Sequence, residues 1–417
     1  MRIVNKEFAG IGSGVQRTRN EDGFIAVGEG HELHYIRAGK EGGIPMVVLH
    51  GGPGAWLDEA YKDLLHSTEF DVVIYSQRGC GLSRRRGEPM RPSADQGDEA
   101  LMRYYVERSL YVSEGNELDH QIHDVEIVRQ HFFKDQKVHV LGGSWGGALA
   151  MLYGIHYPEC TEALLLRCTS LTELCGAMNP IDKAETESQR LHNPCFVRLE
   201  NKIRDLVGAD HYHSSNLFLH LYQGLYDQLE DGAVWSDVEK CQAALAWRIW
   251  NKSLQYTRIT EGEAESSIYS DLEQNIKFGF LFSKLLLGYA KFGRPYFREH
   301  LPQLAQNSDC NVMIVHGTND KICPIQNAYD VFEWFSGEEA PNKLESGKPV
   351  FNSDHRVVLL PVNSGHANDD TGMWSALSNI VRSAELVALA ARDAKNEADA
   401  DVEIQVRSAA TRILQPA

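Results

Sequence analysis

The chain has little that would tie it to a nucleic acid, a membrane or a disulfide scaffold. Positive charge is scarce: 41 Lys and Arg against 58 Asp and Glu leave a formal charge of -17. Such a surplus repels phosphate backbones and anionic headgroups, so neither nucleic acid nor membrane is expected as a partner, and a neutral or cationic small molecule is easier to accept. No apolar run approaches the roughly 20 residues a helix needs to span a bilayer. The opening "MRIVNKEFAGIGSG" has no continuous apolar core of the kind a signal peptide carries, which makes a cytoplasmic location the expectation. Eight cysteines (Cys80, Cys160, Cys168, Cys175, Cys195, Cys241, Cys310, Cys323) are scattered without a CxxC pair and read as reduced, buried thiols. "HYH" at His211 to His213 lacks a third ligand at suitable spacing, and "GIGSG" does not follow a strand, so no metal site and no nucleotide loop is expected. Internal repeats are missing too.

What is present is an order of elements. "GFIAVGEGHELHYIRAG" holds two short alternating runs around Gly28 to Gly30, a hairpin pattern. "IPMVVLH", "FDVVIYS", "KVHVLGG" and "EALLLRC" are short, wholly apolar runs, the pattern of strands buried on both faces of a mostly parallel sheet. Helical spacing from Glu117 to Phe133 and in "GGALAMLYGIHYP" alternates with them. From about Ser170 to Pro302 the rhythm breaks into aromatic-rich helical patterns such as "AVWSDVEKCQAALAWRIWNKSLQY". It resumes with "CNVMIVHGTNDKICP", a helix near Asn327 to Trp334, "HRVVLLPV" and a helix around Met373 to Arg392. The expected organisation is therefore an α/β core over 1–169 and 303–395, an inserted helical cap over 170–302, and a peripheral tail over 396–417. The stretch "RRRGEPMRPSADQGDEALMRYY" reads as an insertion in the first core segment.

"GGSWG" (Gly142 to Gly146) fits GxSxG between a strand and a helix. A sharp strand-to-helix turn needs small neighbours, and it aims the serine at the N-terminus of the following helix, where N–H groups favour developing negative charge. Ser144 is thus a candidate nucleophile; a turn serine that caps its helix is the alternative. A nucleophilic serine needs a base and an orienting carboxylate. In α/β-hydrolases these follow in the order Ser, acid, His, each on a loop after a strand, and Asp320 in "HGTND" and His366 in "NSGHAND" meet both conditions. Asn319 cannot hold charge, His316 ends its strand too early, and Asp369 and Asp370 lie beyond the histidine. Oxyanion donors are expected from the backbone N–H of Trp145 and from Gly52 in "HGGPG".

With these residues in hand, the chain resembles the proline iminopeptidase family of the α/β-hydrolase superfamily. "HGGPG", "QRGCGLS", "GGSWGG", "HGTNDKICP" and "GHAND" stand in family order, and Asn116, Asp124 and Glu126 echo the segment ahead of the nucleophile strand. The resemblance covers most of 22–170 and 308–385, and the cap only loosely. It implies removal of an N-terminal residue, preferentially proline, from short peptides through an acyl-enzyme, with no metal or organic cofactor. It also implies a cap glutamate for the substrate ammonium in an "AWxxWE" segment, where this chain has "AWRIWN" ending in Asn251. A neutral amide accepts a hydrogen bond but does not offset a buried positive charge. A second cap carboxylate aligns with Glu273 in "DLEQN", and Ser76 stands where the family usually has aspartate before QRG. The departures leave a second reading open, the same acyl chemistry on another small amide or ester. A third is a non-catalytic receptor that kept the fold. No sequence feature indicates an oligomeric state.

Overall fold

The structure, a computed structural model, describes residues 18–65, 68–172, 183–288, 291–340, 345–370 and 372–397. "GIGSG", Cys175 and nearly all of the tail over 396–417 lie outside them.

Strands β1 (Thr18–Gly28) and β2 (His31–Lys40) form the antiparallel hairpin expected around Gly28. They lead to β3 (Ile44–Leu49), α1 (Ala60–Leu65), β4 (Phe70–Tyr75), the two-residue β5 (Arg84–Arg85), α2 (Gly97–Ser113) and α3 (Leu118–Phe133). Next come β6 (Val138–Gly143), α4 (Trp145–His156) and β7 (Thr161–Arg167). Helices follow without a strand among the described residues: α5 (Lys183–His192), α6 (Pro194–Val207), α7 (Leu217–Leu225), α8 (Asp237–Leu254), α9 (Glu261–Tyr269), α10 (Leu272–Gly288) and α11 (Arg294–Asn307). The chain then returns through β8 (Asn311–Gly317), α12 (Gln326–Ser336), β9 (Val350–Phe351), β10 (Val357–Val362) and α13 (Met373–Glu397).

One sheet takes in all ten strands, in the order β1-β2-β4-β3-β6-β7-β8-β10-β9 with β5 on β2. The pairs from β4 through β10 are parallel, and the outer pairs are antiparallel. The apolar runs alternate sides. Val47, Val140, Leu164, Ile314 and Leu359 pack under α3, α4, α11 and α12, while Met46, Val48, Leu141, Leu165 and Leu360 pack under α1 and α13. Burial on both faces is why these strands lack the polar alternation of a half-exposed sheet. This is the α/β-hydrolase fold, a mostly parallel sheet flanked by helices.

A third hydrophobic cluster forms the cap. It gathers Phe196 and Leu199 of α6, Leu221 of α7, Trp247 and Trp250 of α8, and Phe278, Phe280 and Phe282 of α10. Two expected boundaries move. Helix α2, which begins inside the stretch read as an insertion and runs past its end, buries Tyr104, Tyr105 and Val106 in this cap cluster rather than in the 1–169 core. Helix α11, placed in the cap by the 170–302 boundary, buries Phe297, Leu301 and Leu304 in the sheet-covering cluster instead. In both cases the destination of the apolar face decides membership, and sequence position does not.

Helix α8 begins with a capping box in which the Ser236 hydroxyl accepts from the Glu239 N–H and the Glu239 carboxylate accepts from the Ser236 N–H. Ala243, Trp247, Trp250 and Leu254 enter the cap cluster as one buried stripe, and buried Arg248 and Asn251 with the half-buried C-cap residue Gln255 form a second row at helical spacing. Trp247 is fully buried, with Phe218, Phe282 and Trp250 rings centred 4.9, 4.7 and 5.2 Å away. Trp247→Ala is expected to cost about 3–5 kcal/mol by urea unfolding, with Trp247→Phe recovering much of it. A loss under about 1 kcal/mol would mean that the cap cluster contributes little to cooperative folding.

Candidate active site

The carboxyl ends of the parallel strands gather at one edge of the sheet, the position where this class of sheet binds ligands. The loops after β3, β4, β6, β8 and β10 there carry His50 to Gly54, Gln77, Ser144, Asp320 and His366. They border a cavity of about 710 Å³ roofed by α8 and α10 of the cap.

Ser144 sits between β6 and α4 with φ 57° and ψ −120°, a conformation that non-glycine residues avoid. The turn closes so tightly that a Cβ on Gly142 would lie 2.1 Å from the Gly146 carbonyl oxygen, and one on Gly146 would lie 2.2 Å from that of Leu49. That accounts for glycine at both places. The backbone N–H of Ser144 donates to the Arg167 carbonyl at 2.8 Å, pinning the turn to β7. The Ser144 side chain does not cap α4; its Oγ lies 2.8 Å from His366 Nε2. The alternative of a capping serine is thereby removed.

His366 Nδ1 lies 2.7 Å from Asp320 Oδ2, and Asp320 Oδ1 accepts the N–H groups of Ile322 and Cys323, both at 2.8 Å. All three side chains are buried. Burial alone would push the Asp320 carboxyl up, but the His366 ring, then His316 and the Cys323 N–H, outweigh it and hold the carboxyl below the usual range. An ionised Asp320 keeps the proton of His366 on Nδ1 and leaves Nε2 to accept from the serine hydroxyl. The rivals are engaged elsewhere: His316 Nε2 bonds the Cys323 carbonyl at 2.7 Å, and the Asn319 amide donates to Asn363 at 2.7 Å.

The glycine loop runs beside Ser144. A Cβ on Gly51 would lie 3.2 Å from that of Ser144, and both Gly51 and Gly52 line the cavity. Burial pulls the His50 imidazole down to about 4, so it is neutral. Its Nε2 accepts from the Gln77 N–H at 2.9 Å, and its Nδ1 donates to the Gly51 carbonyl at 2.8 Å. The Gln77 side chain donates to the His50 carbonyl at 2.8 Å and accepts from the Trp145 indole at 2.9 Å. One residue of "QRGCG" thus ties the glycine loop to the helix that starts at Trp145. Arg78 beside it is held by both Asp124 oxygens, 2.6 and 2.8 Å away, while Asn116 donates to the Arg78 carbonyl at 2.8 Å. Glu126 instead accepts from Arg129 and Tyr153, away from the cavity.

The two expected substrate-binding residues separate. Asn251 is buried and lines the cavity, accepting from Arg248 Nη1 at 2.9 Å and Gln255 Nε2 at 3.2 Å. Glu273 does not line it. Its oxygens are taken by Arg108, by Arg91 at 3.0 Å and by Tyr104 at 3.3 Å. The assignment of Glu273 to an amine subsite is corrected accordingly: Arg108 of α2 and Arg91 of the loop before it occupy the carboxylate. Sequence reading also passed over Arg248, which shares a helix face with Asn251, and Arg167, whose Nη1 donates to the His366 carbonyl.

Among the described residues, the group with the spacing of a metal site is Cys168 with Asp320 and His366. Burial pushes the Cys168 thiol up to about 12, and the other two already spend their ligand atoms on each other. A neutral thiol is a poor ligand. No helix of the described residues is long and apolar enough to cross a membrane.

Residues 44–349 match the family described as alpha/beta hydrolase fold. The proline iminopeptidase of Neisseria meningitidis serogroup B is 32% identical over 341 residues, which cover 79% of this chain and 91% of that protein. That of Xanthomonas citri is 24% identical over 360 residues, 84% of this chain and 97% of that protein. That of Xylella fastidiosa strain 9a5c is 26% identical over 329 residues, 75% and 85% of the two chains.

Proposed function

The chain belongs to the proline iminopeptidase family of α/β hydrolases and is a hydrolase acting on peptide or amide bonds; from that premise we propose that it works through an acyl-enzyme on Ser144. The observation that carries this reading is the hydrogen-bonded line from Ser144 Oγ through His366 to Asp320 at the floor of the cavity. His366 Nε2 takes the hydroxyl proton as Oγ attacks the carbonyl. Asp320 holds the Nδ1–H and stabilises the imidazolium. The oxyanion lies at the start of α4, beside the N–H of Trp145 and the loop of Gly51 and Gly52. His366 then protonates the leaving amine, and water, deprotonated by the same nitrogen, releases the acid.

A fluorophosphonate probe tests this. Wild-type protein should label with one equivalent and Ser144→Ala with none; equal labelling of both would sink the assignment. Gly52→Ala tests the oxyanion loop. Gly52 has φ 122°, and a Cβ there would meet the N atoms of Gly54 and Ala55 at 2.5 and 2.7 Å. A shifted loop is expected to lower kcat by about 100- to 1000-fold, the effect of losing an oxyanion donor, with labelling slowed but present. Retention of full kcat would remove the loop from the mechanism.

The names of the relatives favour release of N-terminal proline. Asn251 and Arg248 favour the second reading, a small amide or ester that need not carry a free amine, because the described cap residues on the cavity present an amide and a guanidinium where an ammonium calls for a carboxylate. Comparing proline 4-nitroanilide, its N-acetyl form and a short-chain 4-nitrophenyl ester separates the two. Strong preference for the free amine would restore the aminopeptidase, and equal turnover of free and blocked amines would exclude it.

A further inference from the structure

The cap side of the cavity holds a cation that no acid among the described residues neutralises. Arg248 is only 8% exposed and lines the same cavity as Ser144. Its Cζ lies 4.1 Å from the centre of the Phe278 ring, its Nε donates to the Asn275 amide oxygen at 3.0 Å, and its Nη1 donates to that of Asn251 at 2.9 Å. Both acceptors are uncharged. Among the described residues Nη2 has no acceptor and no carboxylate bonds the group. Burial pulls the guanidinium down to about 10, so it still carries its charge at neutral pH. One turn on, Lys252 stands 3.2 Å from the Tyr256 hydroxyl and adds positive charge. Two carboxylates line the cavity from core loops, and neither meets Arg248. Asp58 accepts the Ala60 N–H at 3.0 Å and the Asn368 amide at 3.2 Å, and Asp369 accepts the Tyr256 hydroxyl at 3.3 Å.

A desolvated cation with neutral neighbours is costly unless a partner arrives with the ligand. We propose that Arg248, oriented by Asn251, is an anion subsite that receives a carboxylate on the acyl half of the substrate. The acyl half is assigned because it stays on Ser144 while the leaving amine departs and water enters, so the buried end of the cavity has to serve it. The substrate class is then an amide or ester of a dicarboxylic acid in which the second carboxylate is free. The overall charge of -17 does not oppose this, since a buried group is governed by its immediate surroundings and distant surface charges are screened.

The proposal rests on the acyl-enzyme reading, and the experiment keeps the two apart. Turnover of the mono-4-nitroanilide of glutaric acid is compared with that of butyryl and prolyl 4-nitroanilides in wild type, Arg248→Gln, Arg248→Lys and Asn251→Glu. In wild type, kcat/KM for the glutaryl substrate should exceed that for the butyryl one by about 10- to 100-fold, the scale of a charge-assisted hydrogen bond. The ratio should approach one in Arg248→Gln, survive in part in Arg248→Lys, and fall in Asn251→Glu, where a new carboxylate occupies the guanidinium. Ratios are read within each variant, so loss of folded protein does not imitate the result. A wild-type preference for the butyryl or prolyl substrate, or a ratio unchanged in Arg248→Gln, overturns the subsite. Should no anilide and no 4-nitrophenyl ester be turned over, the acyl-enzyme reading has failed, and the subsite is judged by binding alone. Glutarate should raise the Tm of the wild type while neutral glutaramide does not, and Arg248→Gln should not respond; no glutarate shift overturns it.

Discussion

Ser144→Ala is expected to lower kcat on any productive amide or ester by about a million-fold, the scale seen when a triad serine is removed from a serine hydrolase. The size follows from the geometry. Oγ lies 2.8 Å from His366 Nε2, and without it the imidazole has no proton to take and the carbonyl no atom to bond. Little else should change. Alanine tolerates the φ of 57° no worse than serine, so the melting temperature should stay within a few degrees of wild type. Ser144→Gly, by contrast, relieves the backbone and should gain about 1 kcal/mol while remaining as inactive. Burst kinetics and denaturant unfolding on the three proteins read both effects, and turnover in Ser144→Ala within tenfold of wild type would remove Ser144 from the chemistry.

Asp320→Asn should lower kcat by about 10,000-fold while leaving the site in place. Asp320 Oδ1 accepts two N–H groups, from Ile322 and Cys323, and only an oxygen can stand there. The amide nitrogen of asparagine is therefore forced toward His366 Nδ1. It donates, so the ring must carry its own proton on Nε2, and that nitrogen can no longer accept from Ser144. The variant should fold and still bind substrate, so KM should move far less than kcat. A fall in kcat of less than tenfold would show that the tautomer of His366 is set by something else.

How much of this was legible in the sequence depends on where each residue's partners lie. The strands around the site read directly, because burial on both faces leaves short continuous apolar runs that little else produces. Ser144, Asp320 and His366 read from their positions after strands, a local property. Helix α2 did not read. It follows a stretch rich in glycine, proline and arginine, and its buried face is built from Tyr104, Tyr105, Val106 and Val112, aromatic and β-branched residues that are indifferent helix formers. The error over Glu273 has the same origin. Nothing in "DLEQN" reveals that Arg108 and Arg91 will occupy that carboxylate, since Arg91 lies in the stretch read as an insertion and Arg108 just beyond it, both far from Glu273 in sequence. Arg248 was in plain view in "AWRIWN", three residues before Asn251 on a helix and therefore on its face, but its lack of an acid partner is a tertiary fact.

The loop that carries His366 is joined to the cap as well as to the sheet. The N–H groups of His366 and Ala367 both donate to the Gln255 carbonyl at 2.9 Å, and the Asp370 carboxylate holds Gly365 N–H at 2.7 Å and Thr257 N–H at 3.1 Å. Gln255 and Thr257 continue the end of α8. A cap that shifted here would pull on the loop of His366 and with it on the 2.8 Å contact between His366 Nε2 and Ser144 Oγ. The end of the roof and the loop beneath it are thus one hydrogen-bonded unit, so loosening the end of α8 is expected to loosen the seat of His366 as well.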